Sequence, residues 1–311
     1  MESSRTWELN WGIAYSVFVN MSGVMDKHSL VKIMSVNCRG LGEKKKRFDV
    51  LNYLHEKECM IYCLQETHFD QDILAQIERE WSGKYFCTTL NSQARGVAVL
   101  FNKNFDYTIH DVKIDPMGNY IVIDLSFNDK RFTFCSLYGP NKDSPDFYHN
   151  IRNIVNEFQN TNYIFCGDWN LVLHPDLDTY NYVNVNNPKA RNVVLDLIDD
   201  FKLVDPWRCY NPNIKRFTWR QQNPLKQSRL DFFLISEELM NFVKSTDILP
   251  GYRSDHSMVL TNFSFNDLDR GKGYWKFNNS LLKDIDYVNL VKCTIKNVIH
   301  QYVASPHNPD N

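Results

Sequence analysis

Short runs that are apolar at almost every position recur along this chain, and most of them stop at a polar cluster. Such runs are the pattern of strands covered on both faces, whereas apolar residues three and four apart mark helices. The first run, from Val31 (VKIMSVNC), ends in Asn37-Cys38-Arg39-Gly40-Leu41-Gly42, where two glycines allow a tight loop. A helix is predicted over Lys44–Glu56, with Phe48, Leu51, Tyr53 and Leu54 near helical spacing. A second buried strand, Met60–Leu64, ends in Gln65-Glu66-Thr67-His68. Strand, helix, strand, with polar clusters following both strands, is the order that gathers ligands at one rim of an α/β sheet.

After a predicted helix around Asp70–Trp81 the pattern shortens. Tyr85–Leu90, Gly96–Asn102, Tyr107–Ile114, Tyr120–Phe127 and Arg131–Tyr138 read as successive strands of an antiparallel meander, with turns such as Asn128-Asp129 between them. The meander ends in Tyr138-Gly139-Pro140-Asn141, and Ser144-Pro145 is placed to cap a helix with the stripe Phe147, Ile151, Ile154, Val155 and Phe158. A loop is expected over His174–Pro188 and a helix over Lys189–Phe201. Two β-like segments, Arg216–Arg220 and Arg229–Ser236, flank the polar, basic stretch Gln221–Ser228, which suits a surface finger. After another short helix, Ser254-Asp255-His256-Ser257 opens the last apolar strand, Met258–Phe265. A charged, glycine-bearing linker is read at Asp267–Gly273, followed by an amphipathic helix with Leu281, Ile285, Val288, Val291 and Ile295. One helix cannot bury its own apolar stripe, so residues 267–311 are expected to begin a truncated downstream region. Residues 31–266 form the main domain, and residues 1–30 an extension of unknown role.

The centre of the chain is Tyr163-Ile164-Phe165-Cys166-Gly167-Asp168-Trp169-Asn170, an apolar strand running into a polar hook. Asp168 and Asn170 are two apart, so extended geometry projects them to one side, an anionic acceptor beside an uncharged donor and acceptor. Attack by water on a phosphate ester uses such a pair, one group to orient or take the proton and one to hold the nucleophile or the phosphate oxygens. Gly, Asp and Asn are also turn formers, and the motif alone leaves a plain turn open. Asn37, Gln65-Glu66, Tyr138 with Asn141, and Ser254-Asp255-His256 also stand at strand ends, and Asp231 lies inside an apolar strand. Together they offer carboxylates for a hard divalent cation, uncharged donors for phosphate oxygens and an imidazole with an acid to pair with it.

Composition narrows this picture. A chain of 311 residues with 43% hydrophobic content supports a substantial core. Lys+Arg 35 against Asp+Glu 37 gives a net charge of -2, so phosphate contacts have to be local rather than global. Arg95, Arg216, Arg220, Lys226 and Arg229 are the basic candidates. The eight cysteines are scattered without a CxxC pair, which reads as buried thiols in a reducing compartment, nuclear or cytoplasmic. Trp11–Val19 is too poorly flanked for a secretion signal, because Glu2 and Glu8 outnumber Arg5, and no run approaches a membrane span.

The motifs SVNCRGL, LQETH, RGVAVL, LYGPN, GDWN, FTWR, SRLDFFLIS and SDHS, in that order from Val31 to about Phe265, resemble the exonuclease-endonuclease-phosphatase superfamily. Within it they are most similar to the apurinic-endonuclease-like domain at the start of the polymerase protein of long interspersed (non-LTR) retrotransposons, and YWKFNNSLL resembles the segment that follows. The resemblance implies a four-layer α/β sandwich of two packed mixed β-sheets flanked by helices. It implies Glu66 as principal Mg²⁺ ligand (Mn²⁺ as a substitute), Asn37 beside it and Asp255 near a second metal position. Asp168, helped by Asn170, would orient or deprotonate water. His256, held by Asp231, would contact the phosphate, and Tyr138 would bind phosphate or the leaving oxygen. Asn141, Thr218 and Arg220 are the implied nucleic-acid positions. The 220–227 hairpin enters a DNA groove in relatives. Some relatives also carry an Arg soon after the Gly-Asp-x-Asn loop, and Leu177-Asp178-Thr179-Tyr180 lacks it.

The expected function is a Mg²⁺-dependent endonuclease that nicks double-stranded DNA and leaves a 3′-hydroxyl for the reverse transcriptase part of the same polyprotein. Two alternatives stand beside it: another phosphodiesterase or phosphatase of the superfamily, and a non-catalytic relic that binds nucleic acid.

Overall fold

The computed structural model describes residues 30–91, 93–160, 162–265 and 283–304. In chain order its strands are β1 (Leu30–Asn37), β2 (Ile61–Gln65), β3 (Tyr85–Thr88), β4 (Val97–Phe101), β5 (Thr108–Ile114), β6 (Tyr120–Phe127) and β7 (Lys130–Tyr138). They continue with β8 (Tyr163–Asp168), β9 (Thr179–Tyr180), β10 (Leu203–Val204), β11 (Trp219–Gln221), β12 (Lys226–Ser228), β13 (Asp231–Ser236), β14 (Val243–Leu249) and β15 (Met258–Ser264). The helices are α1 (Lys44–Glu56), α2 (Gln71–Glu80), α3 (Pro145–Asn156), α4 (Pro175–Asp178), α5 (Pro188–Asp200), α6 (Pro206–Tyr210) and α7 (Ile285–Ala304).

The strands with long apolar runs are buried on both faces because two sheets pack against each other and helices cover their outer sides. One sheet has the order β14-β15-β1-β2-β4-β3 and the other β10-β13-β8-β7-β6-β5. Each is mixed, with one parallel pair, β1 with β2 and β7 with β8, among antiparallel neighbours. Ile33, Cys63 and Val99 from the first sheet meet Phe134, Ile164 and Phe233 from the second in one core between them. The outer face of the first sheet is covered by Leu51 and Leu54 of α1 and Ile73 and Ile77 of α2. That of the second is covered by Ile151 and Val155 of α3 and Val194 and Leu197 of α5. The architecture is the four-layer sandwich. A small third sheet, β11-β12-β9, stands apart from both.

The differences from the expected elements have local causes. The five-strand meander is split: β3 and β4 close the edge of the first sheet, and only β5, β6 and β7 run as a meander in the second. β14 escapes the apolar pattern because it is an edge strand of which only Val243 and Ile248 are buried. The loop over 174–188 contains α4 and β9, the latter paired with β12. The finger is itself paired as β11 and β12, which confines its tip to residues 222–225. Ser144 makes no side-chain cap on α3. Its neighbour Asp143 instead accepts from the backbone N–H of Lys189 and Ala190, capping the start of α5.

The chain separates after Asn266 into two units. In the second, α7 runs over Ile285–Ala304 and includes four of the five predicted apolar positions. Leu281, the linker, the YWKF segment and residues 1–29 of the N-terminal extension lie outside the described residues, while Leu30 opens β1.

Candidate active site

Strand register brings the first three groups together. β8 lies between β7 and β13, and Asp168 is the direct partner of Tyr138 on one side and of Asp231 on the other. Gly167 is required just before it: its φ is +144°, and a Cβ there would lie 1.9 Å from the Leu137 carbonyl oxygen of the neighbouring strand. In the other sheet Asn37 and Gln65 are partners at the ends of β1 and β2, so Glu66 follows at the same rim. Glu66 and Asn170 have φ of +50° and +51°, left-handed backbone that a non-glycine residue adopts at a cost. The Glu66 turn is held by backbone bonds from Gly40 to the Glu66 carbonyl and from Thr67 to that of Gly96.

Hydrogen bonds then join the two sheets at this rim. Asn37 Nδ2 donates to Asp168 Oδ2 at 2.9 Å, and the Asn170 N–H donates to Asp168 Oδ1 at 2.9 Å. The Tyr138 hydroxyl donates to Glu66 Oε1 at 2.5 Å. His256 Nδ1 is 2.8 Å from Asp231 Oδ2, and its Nε2 faces Asp168 Oδ2 at 3.9 Å. Ser254 fixes this loop by donating to the Asn37 carbonyl and accepting from the His256 N–H. Thr218 Oγ1 accepts from both Leu230 N and Asp231 N, each at 3.0 Å.

These side chains line or underlie one groove. Its centre is bounded by Glu66, Asn141, Asp168, Asn170, Asp255 and His256. One arm extends to Arg95 and Lys142, and the other to Arg220 and Gln221. The expected catalytic set therefore converges at the groove's centre. Asn37 is fully buried beneath Asp168, with Oδ1 accepting from Arg39 N, so it orients that carboxylate from below. Thr218 is also fully buried, which corrects its placement among the nucleic-acid-binding positions: its hydroxyl holds the backbone of the acid that holds His256. Arg229 is no rim cation either; it is buried against Asp178 and Asp205. Arg216 is spent on Asp247 and the Ile248 carbonyl. Arg220 stays at the groove, donating to Ser257 Oγ. Trp169 packs on Phe232, as an indole next to a hook would.

Burial sets the electrostatics. It raises the Asp168 carboxyl to about 7, with the Asp231 charge adding to the rise and His256, Asn37 and Asn170 opposing it. Burial by itself would lower the His256 pKa, but the charge and hydrogen bond of Asp231 together with the charges of Asp168 and Asp255 outweigh it and lift the imidazole to about 10. The Tyr138 phenol is held neutral by burial and by Glu66. Asp231 Oδ1 is a buried acceptor with no hydrogen-bond partner. The ligand atoms of Asp168, Asp231 and His256 lie within 4.8 Å of one another.

Several groove residues carry no readable signal in the sequence. Arg39, 3.3 Å from Asp255, and Trp219, bridged to His256 through the backbone, lie in motifs whose other letters drew the chemistry. Tyr182 and Asn186 sit in a segment without periodicity.

Residues 34–256 match the Endonuclease/Exonuclease/phosphatase family, and the chain belongs to it. It is 28% identical over 269 residues to the "Transposon TX1 uncharacterized 149 kDa protein" of Xenopus laevis, which covers 85% of this chain and 20% of the relative. The chain thus spans about a fifth of that protein's length. It is 25% identical over 252 residues to the exodeoxyribonuclease of Bacillus subtilis (strain 168), covering 74% of this chain and 98% of the enzyme. Among solved structures, the AP endonuclease LMAP from Leishmania major superposes with a TM-score of 0.66 at 18% identity, covering 78% of this chain and 90% of that one. The Xenopus laevis APE2 catalytic domain does so with 0.61 at 20%, covering 74% and 91%. The resemblance to the apurinic-endonuclease-like domain of non-LTR retrotransposons agrees with the transposon relative and with the AP endonuclease fold. The class is a nuclease and phosphodiesterase superfamily.

Proposed function

We propose that the chain is a Mg²⁺-dependent endonuclease that hydrolyses one phosphodiester of double-stranded DNA and leaves a 3′-hydroxyl for target-primed reverse transcription. One observation carries the reading: carboxylates, amides, a phenol and an acid-paired imidazole from both sheets line or underlie one continuous groove.

The roles follow from the contacts. Asp168, with one oxygen fixed by Asn37 and the other by the Asn170 N–H, is oriented to accept a proton from water, and its pKa of about 7 suits a general base near neutral pH. His256 is kept cationic by Asp231, so its Nε2 side offers a charged donor to a phosphate oxygen. Tyr138 is a neutral donor beside Glu66, and Asn170 and Asn141 supply uncharged contacts.

The donor set fits a hard divalent cation. Glu66 has one oxygen engaged by Tyr138, leaving the other for a metal, and Asp255 stands at the same groove. Oxygen donors of this kind suit Mg²⁺ or Mn²⁺, whereas the buried Asp168–Asp231–His256 group has the Nδ1 of His256 committed to Asp231. Glu66, with Asp255 near a second position, is the holder of choice. When bound, the cation supplies positive charge to the phosphate oxygens.

The match to a fifth of a large transposon protein supports placing this domain within a longer polyprotein, and its proposed partner there is the reverse transcriptase part. Incubation with supercoiled plasmid, single-stranded RNA and a phosphoinositide, each with Mg²⁺ or chelator, tests the assignment. The expected result is nicking of plasmid alone, abolished by chelator, with nicks that a DNA polymerase extends without end repair. Faster turnover of RNA or the lipid, or nicks that cannot be extended, would refute it.

A further inference from the structure

Beside the groove, residues 180–187 form a loop fixed at both ends and apolar at its crown. At one end β9 pairs with β12 of the finger, Tyr180 opposite Gln227. At the other, Asn187 Nδ2 donates to the Asn170 carbonyl of the catalytic hook at 2.8 Å. Between them the loop is tied to the finger twice more: Asn181 Nδ2 donates to the Leu225 carbonyl at 2.8 Å, and Lys226 Nζ lies 5.5 Å over the Tyr182 ring. Loop and finger are one two-pronged unit. Its root is a buried cluster in which Arg229, just after β12, bonds to Asp178, just before β9, and to Asp205, while Arg208 bonds to Asp178 as well.

The crown of this unit exposes what a soluble surface ordinarily scatters. Val183 is 97% exposed, with Tyr180 at 51%, Leu225 at 42% and Val185 at 36% around it. The apolar positions are interleaved with Asn181, Asn184 and Asn186, and neither residues 179–189 nor residues 216–230 contain an Asp or Glu. A surface free of carboxylates, with an apolar tip and amide flanks, is compatible with close approach to a polyanion, and Tyr182 and Asn186 make it continuous with the catalytic groove.

From this we infer that the 180–187 loop is an apolar wedge that enters the grooved face of duplex DNA next to the cut, with Val183 unstacking a base step while the finger grips alongside. The inference rests on the duplex-DNA reading above. An inserted side chain has to resist the cost of unstacking, and a prong clamped at both ends over a buried ionic root meets that requirement, whereas a free loop would fold away. Flexible pyrimidine–purine steps would unstack most easily, so the wedge would bias which sites are cut.

The test uses the full chain in chelator with short duplexes carrying 2-aminopurine at successive positions, read by fluorescence, beside plasmid nicking by the same preparation with Mg²⁺. The wild type should brighten 2-aminopurine at one step several-fold, and Val183→Asn should abolish the rise and weaken binding by roughly fivefold to tenfold. Thermal unfolding of Val183→Asn should match wild type, because the residue is 97% exposed. No brightening at any position, or equal brightening by Val183→Asn, would overturn the wedge. Brightening lost in Val183→Asn without any nicking by wild type would uphold the wedge and refute the catalytic reading; nicking without brightening would do the reverse.

Discussion

Two buried charged clusters draw on residues only two apart in the sequence, Arg229 and Asp231, and they are opposites. In the first, two arginines and two aspartates neutralise one another: Arg229 bonds to Asp178 and Asp205, and Arg208 to Asp178. Burial alone would raise the Asp178 pKa, but the two guanidiniums and the His174 N–H hold it below the usual carboxylate value. In the second, two aspartates share one imidazole, the Asp168 pKa goes up, and Asp231 Oδ1 has no partner. Equal burial has opposite effects because only the first cluster is balanced. An unbalanced buried cluster at a groove is poised to take up a proton or a charged ligand, whereas a balanced one fixes geometry. The balanced cluster roots the finger, and the unbalanced one is the proposed chemistry.

Substitutions should separate the two most sharply. Arg229→Met leaves two buried carboxylates short of charge and should cost about 3–5 kcal/mol in urea unfolding. Asp168→Asn removes a repulsive charge, so stability at pH 8 should be equal or higher by up to about 1 kcal/mol although nicking is lost. Comparable destabilisation by both would erase the distinction.

A smaller effect is the pH dependence of stability in chelator. Asp178, depressed in the fold, contributes stability above the ordinary carboxylate pKa of about 3.9, and this is lost as pH falls below it. Asp168 is raised to about 7, so the folded state holds the extra proton and stability declines as pH climbs from the unfolded value toward 7. His256, raised to about 10, contributes fully below its unfolded pKa of about 6.5, and that contribution disappears as pH rises toward 10. Asp168→Asn should flatten the first decline and Asp231→Asn the second. Denaturant midpoints across pH read both, and a profile unchanged in either variant would contradict the assigned shifts.

Much of this was legible in the residues. Apolar runs such as Ile61–Leu64 and Phe232–Ile235 announced a sheet covered on both sides, and the polar residues at their ends, Gln65 and Asp231, marked the rim. Glu66, Asp168, Asp231 and His256 were all at or near such ends, and their convergence rests on the register of β7, β8 and β13, the turn after β2 and the Ser254-anchored loop before β15. What escaped was set by tertiary pairing. The sheet to which β3 and β4 belong, the edge strand β14, and Tyr182 and Asn186 in the groove have no periodic signature. Arg229 and Thr218 looked like surface contacts because a motif gives position but not depth; burial shows one bonded to acids and the other to backbone.

The central claim is that Glu66, Asp168 and the Asp231–His256 pair act together on one phosphate. Single-turnover nicking of supercoiled DNA with Mg²⁺ by wild type, Glu66→Ala, Asp168→Ala, His256→Ala and the Asp168→Ala/His256→Ala double variant tests it most directly. The account predicts that each single variant slows nicking by about 10²-fold or more, and that the double variant falls far short of the product of the singles, because the groups work as a unit. Undiminished nicking by the three folded single variants would contradict it.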